Sequence, residues 1–330
     1  MPYDRLVISR GFLRLVDRLP LPPLRVQRLA ALAVLLSQAG IAVTGAVVRV
    51  TGSGLGCPTW PKCFPGSFTP TRVAEVPVVH QAIEFGNRML TGVVVLCAAL
   101  VVLAVVRARR RPEVIRYAWL MPGGTVLQAV IGGITVRTGL LWWTVSIHLL
   151  VSMLMVWLAT LLYLKVGEPD DAITTAAYPR PLRLLAGLSA LALVGTLVVG
   201  TLVTGAGPHA GDKSLDRTVP RLQLEIVTLV HAHAQFLVAY LALLVGLACG
   251  LTAVGAPRTA LRRLRILLVL VIAQAGIGIV QYLTDVPAVL VALHVAGAAA
   301  CTAATAAVWA AGRTREPLPL RPVAAGATVH

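Results

Sequence analysis

Gln128-Ala129-Val130-Ile131-Gly132 opens a stretch that closes on Ser146-Ile147-His148-Leu149, and both ends recur later in the chain. The second copy opens on Gln274-Ala275-Gly276-Ile277-Gly278 and closes on Ala292-Leu293-His294-Val295. A single offset of 146 residues relates the two glutamines and the two histidines, so no gap is needed between them. Continued backwards at that offset, His233 falls on Asn87 and His231 on Phe85. A weaker echo, Val50-Thr51-Gly52-Ser53-Gly54 against Val203-Thr204-Gly205-Ala206-Gly207, has a different offset because the loops that follow differ in length. The pattern is that of one module used twice.

The 330 residues are 57% hydrophobic and 13% charged, with a mean hydropathy of +0.83. A water-soluble core cannot bury that much apolar surface, so the chain reads as an integral membrane protein. Eight apolar runs of about 20 residues each, the length a helix needs to cross the hydrocarbon layer, fall at 27–49, 80–106, 115–136, 142–165, 182–205, 222–250, 261–282 and 287–311. They are too long and too continuous for strands, and a spanning helix satisfies its own backbone. The expected fold is therefore an all-α integral membrane protein with eight transmembrane helices. Four spans per half give both copies the same orientation, so the halves are expected to be two parallel-repeat four-helix bundles.

The net charge of +16 follows topology, which excludes nucleic acid as a partner. Arginines crowd the segment before the first span, the link at 107–116, the links after the fourth and sixth spans, and the tail, leaving the other face poorer in positive charge. By the positive-inside rule both termini are cytoplasmic, in a multi-pass protein of the cell membrane. No cleavable signal peptide is expected, since the first apolar run is long and lacks a clear small-residue cleavage site.

The expected divisions are a basic cytoplasmic segment (1–26), an N-terminal four-helix half (27–165), a cytoplasmic linker (166–181), a C-terminal four-helix half (182–311) and a disordered cytoplasmic tail (312–330). Apolar residues between the arginines of the first segment allow an amphipathic surface helix that Pro20, Pro22 and Pro23 stop, or a basic tail alone. Pro122-Gly123-Gly124 marks an expected kink in the third span.

Candidate chemistry gathers towards the outer side. Cys57 and Cys63, six apart in an outer loop with Pro58, Trp60 and Pro61, can pair in an oxidising compartment, with two free thiols as the alternative. Cys97, Cys249 and Cys301 fall within spans and read as packing residues. At the start of span two, His80, Glu84 and Asn87 share one helical face. A carboxylate inside an apolar run usually faces a bundle interior or a cavity; the structural alternative for Glu84 is an ion pair with Arg88 one turn on.

His148, His233 and His294 all lie near the outer ends of outside-to-inside spans. Two imidazoles at similar depth on neighbouring helices of a four-helix unit are the arrangement that holds a haem iron from both sides. The ungapped register selects His233 over His231, which stays as the alternative: 61 residues separate Asn87 from His148, and His233 from His294. Cation transport competes, but most spans lack Asp and Glu and no loop is rich in histidine. The glycine-rich 51–56 follows a membrane span and opens no crossover unit, so a nucleotide fold has no support.

The run from Thr44-Gly45-Ala46 through Arg49, Gly52-Ser53-Gly54 and Cys57-Pro58-Thr59-Trp60-Pro61-Lys62-Cys63, followed by Ile83-Glu84-Phe85-Gly86-Asn87-Arg88, resembles the haem A synthase family over roughly residues 25–311. The resemblance implies eight spans in two halves, a haem b cofactor (iron) in the C-terminal half and the substrate haem O in the N-terminal half. It implies stepwise oxidation of the C8 methyl of haem O to a formyl group, giving haem A for terminal oxidase assembly. Matched motif by motif, His233 and His294 take the place of the cofactor ligands. His148 takes that of the histidine facing the substrate haem, Glu84 that of the essential carboxylate, and Cys57 with Cys63 that of the outer-loop pair. Asn87 stands where many members carry a histidine, so towards the substrate haem it can offer a hydrogen bond or a weak contact but not an imidazole. The loop between spans five and six also departs from the family, having no cysteine.

The implied partners are haem O and the haem O synthase that supplies it, an unidentified electron donor and the lipid bilayer, with a homo-oligomer left open. Arg49 and Arg137 are candidates for the haem carboxylates, or else interfacial anchors. The alternative function is a membrane di-haem cytochrome b that passes electrons without altering a haem.

Overall fold

The computed structural model describes residues 10–71, 76–212 and 218–317. A short helix, α1 (Arg10–Asp17), precedes α2 (Leu24–Thr51), α3 (Val78–Arg107), α4 (Pro112–Arg137) and α5 (Trp142–Val166). A strand, β1 (Ala172–Ala176), leads to α6 (Arg180–Ala206), α7 (Ile226–Ala253), α8 (Arg258–Leu283), α9 (Ala288–Ala310) and a last strand, β2 (Arg313–Pro317). The eight helices from α2 to α9 are each long and apolar enough to cross a membrane, so the chain is an all-α, multi-pass membrane protein.

Proline sets most of the helix starts. Pro23, Pro77, Pro179, Pro257 and Pro287 stand immediately before α2, α3, α6, α8 and α9, and Pro112 is the first residue of α4. Its missing N–H costs nothing there, and its fixed φ suits helix entry. α2 ends in a Gly52 cap with φ 74°, a left-handed conformation that glycine adopts without a Cβ penalty. The cap turns the chain so that the Ser53 N–H reaches back to Val48 O at 2.9 Å.

In the first half α2 packs on α3 and α5, and α4 on the same two; in the second, α6 packs on α7 and α9, as does α8. The groups meet where α9 lies against α2 and α5 and where α5 lies against α6. Ala42, Met153, Val156 and Ala299 form a small core at that junction, and Trp157 meets Trp309 at a tilt of 50° with ring centroids 6.0 Å apart. Because lipid is as apolar as the helices, association depends on close packing at small residues. A Cβ at Gly195 would come within 2.5 Å of the Phe236 ring, and one at Gly124 within 2.2 Å of Met155 Sδ.

Three sequence expectations change. The apolar run from 222 does not start a helix there: Leu222 N–H donates to Gly205 O at 3.2 Å and α7 begins at Ile226. Apolar composition cannot distinguish such a strap from a helical turn. The 312–330 tail, expected to be disordered, is ordered at its start. There β2 pairs antiparallel with β1, and Arg315 donates to the carbonyls of Pro169, Asp170 and Ala172. Residues 318–330 lie outside the described residues. Of the expected packing cysteines, Cys301 is buried and Cys97 partly so, but Cys249 is exposed.

The amphipathic alternative for the first segment is realised in α1, where Val16 is buried and Asp17 pairs with Arg109 at 2.7 Å; residues 1–9 lie outside the described residues. On this arginine-rich face Arg110 is buried and bonded to Asp170 at 2.7 Å, Gln27 at 3.0 Å and the Val166 and Glu168 carbonyls. The opposite face carries the loop with Cys57 and Cys63.

Candidate functional site

The turn after α2 delivers a compact loop onto the start of α3. Cys57 and Cys63 are joined by a disulfide with sulfurs 2.01 Å apart, and Phe85 packs against the pair. Ser53, fully buried, shares a 2.8 Å hydrogen bond with His80 Nδ1, which gives His80 a structural role. A Cβ at Gly56 would lie 2.3 Å from His80 O, so only glycine lets the loop lie this close to α3.

Beneath the loop Glu84 is 5% exposed. Its Oε2 accepts the Cys57 backbone N–H at 2.6 Å, and its Oε1 accepts Arg88 Nη2 at 2.6 Å and Nε at 3.1 Å. Arg88 also donates to Cys57 O at 2.8 Å, Thr59 O at 2.9 Å and Lys62 O at 3.3 Å. The ion pair weighed as the structural alternative for Glu84 is thus present, and it ties the carboxylate to the disulfide loop. The four-residue spacing in the sequence pointed to the Glu84–Arg88 pair; it gave no sign of the three loop carbonyls that Arg88 also binds.

Asn87, three residues after Glu84 on α3, accepts a hydrogen bond from Thr44 Oγ1 on α2 at 2.6 Å. His148 on α5 faces α4: a Cβ at Gly132 would be 3.4 Å from its Cε1, and its Nδ1 is buried with no hydrogen-bond partner. Arg137 donates to Trp60 O at 3.1 Å and lies over the Trp60 ring, anchoring the loop to the end of α4.

In the second half His233 on α7 and His294 on α9 come together, with ring centroids 6.3 Å apart. His233 Nδ1 bonds Thr196 O at 3.0 Å. A carbonyl only accepts, so Nδ1 carries the proton and the neutral ring keeps its lone pair on Nε2. His294 Nδ1 is buried with no partner. A Cβ at Gly200 would be 3.0 Å from His233 Cε1, and one at Gly278 3.2 Å from His294 Cε1. His231 is exposed on the other side of α7. Thr196 left no trace in the sequence, because its role comes only from the packing of α6 on α7.

Arg49, at the end of α2, crosses to α6 and donates from Nη2 to Thr204 O at 3.2 Å. Arg221, outside the spanning helices, bonds the same carbonyl at 3.1 Å; burial lowers its pKa.

The model of the family described as cytochrome oxidase assembly protein (COX15-CtaA) matches residues 28–306. Among curated proteins, the "Heme A synthase" of Geobacillus kaustophilus (strain HTA426) is 36% identical over 101 residues, 30% of either chain. That of Lysinibacillus sphaericus (strain C3-41) is 29% identical over 116 residues, 34% of this chain and 36% of the relative. That of Macrococcus caseolyticus (strain JCSC5402) is 29% identical over 154 residues, 45% of this chain and 50% of the relative. The chain thus spans between about a third and a half of the length of these relatives. The family match, by contrast, begins within α2 and ends within α9, so it takes in all eight spanning helices, and the chain belongs to the cytochrome oxidase assembly protein family.

Proposed function

We propose that the chain is a haem A synthase, oxidising the C8 methyl of haem O to a formyl group to supply haem A for terminal oxidase assembly. The observation that carries this is the imidazole pair, His233 and His294, at 6.3 Å between ring centroids. Protein side chains that hold a bare metal ion usually number three or more. Among the described residues no group of three His, Cys, Asp or Glu is placed to do so. Two imidazole nitrogens would suffice where a porphyrin supplies the other ligands. The separation leaves room for a single metal between the two rings. Thr196 fixes the tautomer of His233, and Gly200 and Gly278 leave the flanks of both rings without a Cβ. The donor set therefore fits a haem.

His233 and His294 would hold the iron of a haem b cofactor, and His148, with Asn87 across the bundle, would face the substrate haem O. When bound, such a haem supplies the one-electron and oxygen chemistry that side chains lack. The chain's own residues position and shield it. Glu84 is the catalytic group, its carboxylate stabilising positive charge developed as the methyl carbon is oxidised, or carrying the proton away. Arg88 and the Cys57 N–H hold that carboxylate in place, and the disulfide loop above it excludes water.

The two halves, 27–165 and 182–311 joined by 166–181, are read as copies of one module. Supporting this, Gln128 Nε2 donates to His148 O at 3.3 Å, and Gln274 Nε2 donates to His294 O at 2.7 Å. The arginine-rich face is read as cytoplasmic, with both termini on it and the disulfide loop outside, in the cell membrane. The chain would receive haem O from a haem O synthase and electrons from a separate donor.

The test is to express the chain in cells that make haem O but no haem A, and to extract the haems. Haem A appearing with the chain supports the proposal. A b-type spectrum with unchanged haem O points instead to a di-haem cytochrome b that only passes electrons, and colourless purified protein removes both.

A further inference from the structure

We infer that Arg49 and Arg221 form a carboxylate clamp at the disulfide-face edge of the His233–His294 site, gripping the propionates of the haem proposed to sit there. This rests on the haem reading above and adds residues to it.

The two guanidiniums converge on a single acceptor, Thr204 O, at 3.2 and 3.1 Å. Arg221 also bonds Gly207 O, and His209 O at 3.3 Å. All of these acceptors are neutral backbone carbonyls. Among the described residues neither arginine pairs with a carboxylate, whereas Arg88, Arg109, Arg110 and Arg111 each do. Arg49 Nε is buried and has no partner at all. Two like charges sharing one carbonyl, one of them with an idle buried donor, repel each other unless an anion lies between them.

Depth identifies the anion. Thr204 follows Gly200 by four residues on α6, so its carbonyl lies one turn, about 6 Å, nearer the disulfide face than the glycine facing His233. A haem carries both of its carboxylates on one edge, and planar guanidiniums suit carboxylates through paired, charge-assisted hydrogen bonds. Arg49 comes from the first half and Arg221 from the second, so a propionate held by both would join the halves across the cofactor. Arg137, the other arginine named for this role, lies at the end of α4 over the Trp60 ring and, among the described residues, shares no acceptor with Arg49 or Arg221.

A phospholipid phosphate offers similar chemistry at this depth, and the test separates the two. The 330-residue chain, purified from haem-limited cells, is titrated with haemin and with haemin dimethyl ester, whose propionates are neutral. Only the Soret absorbance that His294→Ala abolishes is counted. The clamp predicts about tenfold weaker binding of the ester. It also predicts a similar loss for free-acid haemin in R49Q and R221Q with no further loss for the ester, and partial recovery in R49K and R221K. The wild-type comparison does not depend on any arginine variant folding. Equal binding of acid and ester overturns the clamp while leaving the imidazole pair standing. So does an outcome in which R49Q and R221Q lower retention of phosphatidylglycerol but not of haemin. Wild-type protein that binds neither form defeats the underlying haem reading instead.

Discussion

The backbone N–H of Cys57 donates to Oε2 of Glu84 at 2.6 Å, so a residue of the disulfide and the proposed catalytic carboxylate are in direct contact. Arg88 closes the arrangement by bonding both Glu84 Oε1 and Cys57 O. The loop is therefore part of the carboxylate's own setting, and disturbing either is expected to be felt at the other.

Glu84→Gln keeps the volume and one carbonyl oxygen but removes the charge. It is expected to fold, to keep the b-type absorbance of the second half, and to accumulate haem O at the expense of haem A. Glu84→Ala leaves the Arg88 guanidinium and the Cys57 N–H without their partner, which costs about 3–5 kcal/mol for a broken buried pair and lowers the melting temperature as well. Haem extraction and thermal unfolding of the two variants side by side make the measurement. Unchanged haem A in Glu84→Gln would take the carboxylate out of the mechanism.

Cys63→Ser opens the disulfide without touching Glu84. Stability is expected to fall by about 2 kcal/mol, and haem A formation to fall with it because the Cys57 N–H loses its fixed position. Absorbance from the His233–His294 pair, in the other half, stays. A variant that melts earlier yet makes haem A at the full rate would show that the loop stabilises the fold without setting the carboxylate.

His294→Ala is expected to remove the b-type spectrum, and His233→Ala to do the same, whereas His231→Ala leaves it intact because that ring points away from the pair. Reduced-minus-oxidised spectra of the three purified variants decide this. Loss of the spectrum in His231→Ala with retention in His233→Ala would reverse the ligand assignment.

Much of this was legible before the structure because the signals are periodic or local. The apolar runs fixed eight spans, and Cys57 and Cys63 were close enough in sequence to pair. Repetition of the Gln128 and His148 pattern at Gln274 and His294 pointed to His233 by register alone. What stayed hidden depends on contacts between distant segments. Thr196 meets His233 only because α6 packs on α7, and Arg49 meets Thr204 only because α2 ends beside α6. The β1–β2 pair joins residues more than 130 apart in sequence, and neither five-residue strand carries enough alternation to announce itself. Leu222 and Leu224 misled for a related reason: their apolarity suits a strap at the membrane edge as well as a helical turn.

A graded glycine series tests whether the imidazole sites are as closely fitted as they look. The Cβ contact with the facing ring would be 3.0 Å at Gly200, 3.2 Å at Gly278 and 3.4 Å at Gly132, with nothing within 4 Å at Gly276. Overpacking of this kind costs about 1–3 kcal/mol, and here the ring is the part that must give way. Gly200→Ala is therefore expected to weaken haem retention most, Gly278→Ala less, and Gly276→Ala not at all. Gly132→Ala, at ordinary contact distance from His148, should spare the b-type spectrum and at most slow haem A formation. Haem-to-protein ratios after purification give the order. If Gly200→Ala and Gly276→Ala retained haem equally well, the close approach of α6 to His233 would have no part in holding the cofactor.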